Sequence, residues 1–263
     1  MSASLRRELG AHLRAAREQV RPQDVGLRGG GRRRAVGLRR EEVAALAGVS
    51  VAWYTWLEQG RVRTSREVVD AVCGALRMGP DSRRHALALA GFLPASPLAG
   101  PGTTRPPDAL CALLPTLGDT PALVLDERLD ILAANAAYTP LWGDPQALPA
   151  ARRNLLLQAA SGTAPYRVTE PEPLVRALHE HFRSAVGHAP DDPRAAEIVA
   201  LLHTLRPDAA HWWRCRAVAE FRTMTVPLTG PGGAAAAVAL TLLRPVGERG
   251  LVVLLARWAD AAR

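Results

Sequence analysis

The chain has 263 residues, 48% of them hydrophobic, which is room for two domains with real cores and too apolar for global disorder. It carries 33 Arg, no Lys and 25 acidic residues, a net charge of +8. No apolar run reaches the roughly 18 residues that a membrane span needs, no apolar stretch follows Arg6 and Arg7 as in a signal peptide, and Cys73, Cys111 and Cys215 are too few and too scattered for a disulfide framework, so a cytoplasmic protein is expected.

The charge is segregated. Residues 1–90 hold 17 Arg against 9 acidic residues, whereas residues 91–263 hold 16 of each. A helical bundle does not require that split, but neutralising phosphates does. Residues 2–19 have Leu5, Leu9, Leu13 and Ala16 at helical spacing and predict a first helix. Arg21 to Gly37 reads as a loop, broken by Pro22, Gly26 and Gly29-Gly30-Gly31. Arg32, Arg33 and Arg34 at its tip suit a basic arm on phosphates or in a minor groove, or else a merely solvated charge run.

From Arg39 the pattern is two short helices about a tight turn. Val43, Leu46 and Ala47 predict an inward stripe on the first, Gly48 breaks it, Val49 plugs the corner, and Ser50 is a fit N-cap for the second, Val51 to Gln59. This is the helix-turn-helix arrangement, whose second helix enters the major groove with its N-terminal half. Ser50, Val51, Ala52, Trp53, Thr55 and Trp56 are then the candidates facing bases. They include few bidentate donors, which directs readout toward thymine methyls and DNA shape. Trp53 and Trp56 also admit a second reading, as packing against neighbouring helices. Arg39 and Arg40 at the start of the first helix, and Arg61 and Arg63 after Gly60, suit phosphates. Thr64-Ser65 precedes a fourth helix with Val68, Val69, Val72 and Leu76 inward, ending at Gly79-Pro80. Asp81 is expected to cap a fifth, with Leu87, Ala88 and Phe92 inward.

The run REEVAALAGVS (40–50) with LEQGR (57–61) resembles the phage-repressor, or Xre-type, helix-turn-helix domain. The longer run GGRRRAVGLRREEVAALAGVSVAWYTWLEQGR (30–61) resembles the MmyB-like regulators, in which that domain precedes a PAS-like ligand-binding domain. The resemblance is dense over 5–92. It departs at Trp56, where relatives usually carry Arg in YYTRLEQGR. It implies an all-α five-helix bundle over 1–92, a Pro/Gly-rich linker over 93–109, and an α+β PAS-like domain over 110–263.

In that second part, Ala122–Leu125 and Leu129–Ala133 predict a hairpin about Asp126-Glu127, followed by a helix from Asn135. Helices are expected at Leu155–Ala159, Leu174–Val186 and Ala195–Leu205, then strands at Phe221–Leu228, Ala235–Leu243 and Leu251–Ala256. Together these make a five-stranded antiparallel sheet with helices on one face. Five histidines lie between 179 and 211, but without metal-ligand spacing, and no nucleophile elbow or phosphate-loop glycine pattern occurs, so no metal, cofactor or enzymatic activity is expected. Tyr138, Leu141, Trp142, Trp212, Trp213 and Phe221 are candidates to line a sensor pocket or to fill the core outright. The resemblance implies a lipophilic ligand such as a fatty acid. Here WWRCRAV (212–218) stands where relatives tend to have LWARHDV, so Arg216 replaces the usual His and joins the candidate lining. The HPxxGxLxL wording is missing too. The expected protein is a homodimeric regulator that binds a double-stranded operator and a small lipophilic ligand. The alternatives are a DNA-tethered protein-interaction module with a packed, ligand-free C-terminal domain, or an enzyme with a DNA-binding arm.

Overall fold

The computed structural model describes residues 1–27, 37–94, 105–248 and 250–259, and within them all side chains but those of Ala209, Ala210 and Trp213. Two compact units result. The first is Met1–Ala95 with Gly187–Asp191 and His211–Ala219, and the second is the remainder.

The first unit holds α1 (Ala3–Gln19), α2 (Arg40–Ala47), α3 (Val51–Glu58), α4 (Arg66–Ala75) and α5 (Pro80–Leu89). Leu9 and Leu13 of α1, Val43 and Ala44 of α2, Tyr54 and Leu57 of α3, and Val69, Val72 and Cys73 of α4 form one buried cluster. Burial raises the Cys73 thiol to about 12, so it behaves as a small hydrophobe. Ser2, Ser50 and Ser65 cap α1, α3 and α4 with their hydroxyls. Two expectations change. Leu46 is 42% exposed: Val43, Ala44 and Ala47 centre the inward arc of α2, and Leu46 lies about 100° round from it. Helix α5 is capped by Gly79, with Pro80 in its first position and Asp81 inside the first turn.

The second unit begins with α6 (Asp108–Thr116), then β1 (Ala122–Asp126), β2 (Ile131–Ala134), α7 (Tyr138–Trp142), α8 (Leu155–Ser161), β3 (Arg167–Val168), α9 (Pro171–Val186) and α10 (Pro193–Leu205). After α11 (Ala210–Cys215) come β4 (Met224–Thr229), β5 (Ala235–Leu243) and β6 (Leu251–Trp258). The sheet has six strands in the order β2-β1-β6-β5-β4-β3, every neighbouring pair antiparallel. The sixth, β3, is a two-residue edge strand on Thr229 and Leu228, too short to show a period in sequence. The helix expected from Asn135 starts at Tyr138, because the Asn135 side chain is engaged by the backbone of Thr120, Ala122 and Leu114.

The register separates the two faces. On one, Leu123, Leu125, Val252, Leu254, Val238, Leu240, Val226 and Leu228 are all buried. On the other, Leu110 and Leu114 of α6 cover Ala122, Val124, Leu251 and Val253. The sequence predicts helices on one face only; α6 covers part of the second as well.

Candidate functional site

Gly48 ends α2 at φ 66°, in the left-handed region that lets the chain reverse. Its N–H reaches the carbonyls of Ala44 and Ala45. The Ser50 hydroxyl accepts from the Trp53 amide at 3.2 Å and starts α3. Tyr54, Leu57 and Glu58 then point inward, while Val51, Ala52 and Trp56 are exposed. Thr55 is half-buried, and its hydroxyl donates to the Val51 carbonyl at 2.8 Å. The two tryptophans part company: Trp53 packs against the core, whereas Trp56 is 46% exposed.

The arginines expected to meet phosphates differ in exposure. Arg39 caps α2; its amide donates to the Glu42 carboxylate at 2.7 Å, and its exposed guanidinium lies 3.5 Å from Glu41. Arg61 and Arg63 are exposed just beyond α3. Arg32, Arg33 and Arg34 lie outside the described residues. Arg40 is partly engaged inside the fold, with its Nε on Glu58 Oε2 at 2.8 Å.

That contact belongs to a clamp the sequence reading missed. Glu58, whose side chain is 1% exposed, also accepts from Arg17 Nε at 2.6 Å, and Arg17 Nη1 donates to the Leu38 carbonyl at 2.8 Å. One carboxylate thereby ties α1, α2 and α3 together. Burial works against the charge on Arg17, but the hydrogen bond and attraction of Glu58 outweigh it and raise its pKa. The signal was present: Arg17 continues the i, i+4 stripe of Leu9 and Leu13, and Glu58 lies beside Leu57 on the inward face.

In the second unit, Tyr138, Leu141 and Trp142 of α7 come together and are buried. The Tyr138 hydroxyl donates to Gln158 Oε1 at 2.6 Å, and Gln158 Nε2 donates to the Trp142 carbonyl at 2.8 Å. These three side chains are core, with the phenol satisfied internally. Phe221 is half-buried ahead of β4, its amide donating to His181 Nδ1 at 3.2 Å. Trp212 and Arg216 are counted with the first unit, where Trp212 is buried and Arg216 is ion-paired with Glu8 of α1. The Trp213 side chain lies outside those described. A cavity of about 430 Å³ does occur in the second unit, between α6 and the end of β2, lined by Cys111, Leu114, Pro115, Gly118 and Ala133 to Ala136. Nothing in the sequence marked it, since its lining is mostly alanine and the flank of a short helix.

Ion pairs hold the hairpin end of the sheet. Arg128 bridges Asp126 at 3.1 Å and Asp192 at 2.5 Å, and Arg194 holds Asp130 at 2.7 Å. His179 and His181 are buried in α9, and burial lowers both to about 4. Among the described residues, no group of three or more His, Cys, Asp or Glu is placed to hold a metal ion, and no helix is long and apolar enough to cross a membrane.

A helix-turn-helix with exposed residues on its second helix and exposed arginines before and after it in the chain, followed by an α+β unit, is the plan of a DNA-binding transcription regulator with a sensory domain. Comparison with family models agrees. Residues 8–86 match a helix-turn-helix domain, and residues 106–263 match the MmyB-like transcription regulator ligand binding domain. The second match covers well over half of the chain, which therefore belongs to the MmyB-like transcription regulators. No curated protein matches the chain.

Proposed function

We propose that this regulator binds a double-stranded operator as a homodimer in the cytoplasm, that its C-terminal domain takes a small lipophilic ligand, and that it catalyses no reaction. The observation that carries the DNA reading is that Val51, Ala52 and Trp56 of α3 are exposed, with exposed Arg39 ahead of the helix-turn-helix in the chain and exposed Arg61 and Arg63 just after it. Phosphate contacts from those arginines would set the position of the helix, and the exposed residues of α3 would meet the bases. A dimer would meet two half-sites about one helical turn apart. Footprinting of the full-length chain on the DNA upstream of its own gene tests this. The expected pattern is a protected stretch with two related half-sites about 10 base pairs apart, and protection without any repeat would rule out a symmetric dimer.

The ligand reading is supported by the apolar cavity between α6 and β2, whose volume of about 430 Å³ suits a small molecule. Such a ligand would act through unequal affinity for the DNA-competent and DNA-incompetent forms. A second reading, a C-terminal domain that docks a protein partner and takes no ligand, draws on the closed packing of Tyr138, Leu141 and Trp142. Native mass spectrometry of chain purified from its own host separates the two. A co-purifying lipid supports the sensor, and a ligand-free mass favours the docking domain.

A further inference from the structure

Base pairs in the major groove are told apart by bidentate donors, Arg or Lys to guanine and Asn or Gln to adenine, and by apolar contact with the 5-methyl group of thymine. The outer face of α3 is nearly devoid of the first kind. Ala52 and Trp56 lie along the side of the helix away from Tyr54, Leu57 and Glu58, Val51 is exposed at the start of its first turn, and Thr55 is half-buried at the margin. Val51 and Ala52 present only methyl groups. The Ser50 hydroxyl accepts from the Trp53 amide and the Thr55 hydroxyl donates to the Val51 carbonyl, and neither single hydroxyl can make a bidentate contact. Trp56 offers a broad apolar ring with a single N–H. The nearest amide side chain, Gln59, lies at the C-terminal cap, beyond the half of the helix that enters a groove. The arginines stand outside α3, and Arg40 is held by Glu58. Leu46, near the end of α2, is a further exposed apolar side chain of the helix-turn-helix.

We infer that the operator is recognised through the 5-methyl groups of its pyrimidines, with Val51, Ala52, Thr55 and Trp56 as the residues that set specificity, and with hydrogen bonds to base edges as a minor contribution. This rests on the DNA-binding reading above and narrows the class of site: half-sites rich in thymine at the positions under α3, with 5-methylcytosine able to substitute because it carries its methyl at the same place in the groove.

The test uses the full-length chain and the tightest-binding duplex selected from a random pool made with thymidine. Affinity is measured by fluorescence anisotropy on that duplex and on the same duplex with deoxyuridine replacing thymidine throughout the half-sites. Each contacted methyl lost should weaken binding about fourfold, with the salt dependence unchanged because no phosphate contact is touched. At a sensitive position, a 5-methylcytosine–guanine pair should bind more tightly than an unmethylated cytosine–guanine pair. A Trp56→Gln chain, altered at an exposed side chain, should lose its sensitivity to deoxyuridine at one position per half-site. If the thymidine duplex binds and its deoxyuridine form binds equally well, the inference is overturned while the DNA-binding reading stands. If selection recovers no duplex at all, the DNA-binding reading falls and takes the inference with it.

Discussion

Glu58 accepts hydrogen bonds from Arg17 and Arg40 with its carboxylate almost wholly removed from water, so removing it strands a guanidinium in the interior. Glu58→Ala should destabilise the first unit by about 3–5 kcal/mol, the cost of an unpaired buried charge, as read from urea unfolding of the full chain. The contact joins positions 17 and 58, 41 residues apart in sequence, so the helix-turn-helix was legible from Gly48 and Ser50, whereas the spacing of Arg17 and Glu58 marks each as inward without marking them as partners. Two buried histidines make a second prediction. His179 has Arg183, His203 and Arg176 near it, and His181 has Glu220 and Arg244; burial lowers both to about 4. The unfolded chain, with ordinary histidines near 6.5, binds more protons than the folded one between those values. Stability of the second unit should thus be fully present above about pH 6.5 and fall as pH drops through that window, each histidine contributing up to about tenfold in the folding constant per pH unit. Asp126 and Glu127, raised by burial, oppose this nearer their own range, so the steepest loss lies at the upper end. His179→Gln should flatten the profile; an unchanged slope would show that the buried imidazoles do not govern it.

Helix α1 lies so close to the end of α3 that a Cβ on Gly10 would sit 2.3 Å from the Glu58 carbonyl oxygen, a backbone atom that cannot give way. Gly10→Ala should therefore cost about 1–3 kcal/mol through overpacking. Gly74, inside α4 with nothing near its absent Cβ, is the control: Gly74→Ala should stabilise by about 0.5–1 kcal/mol. Thermal unfolding of both variants checks the pair, and a Gly10→Ala chain as stable as the parent would contradict the close packing. The same scale explains what the sequence could and could not yield. The helices of the first unit announce themselves because serine caps and glycine breaks punctuate them. In the sheet, β5 and β6 were legible as long β-branched and aliphatic runs, whereas β3 has only Arg167 and Val168 and exists because the backbone finds an edge to pair with. From sequence the aromatic residues of α7 read either as pocket lining or as core, and their burial with the Tyr138 hydroxyl on Gln158 is what only the folded structure shows.

Over the whole molecule, the surplus of positive charge lies in residues 1–90 and the rest is balanced, a division of labour between holding DNA and responding to a signal. A signal that favours one DNA-binding state must bind that state more tightly, so a true ligand should change operator affinity by the same factor by which operator changes its own. The most direct measurement is the affinity of the full-length chain for duplex DNA across a range of salt concentrations, for the parent and for a chain carrying Arg39→Gln, Arg61→Gln and Arg63→Gln. The account predicts that the logarithm of the parent's binding constant falls linearly with the logarithm of salt, and that the triple variant loses about 2–3 from the slope while folding normally. Binding that is absent for every duplex, or a slope that the three substitutions leave unchanged, would contradict it.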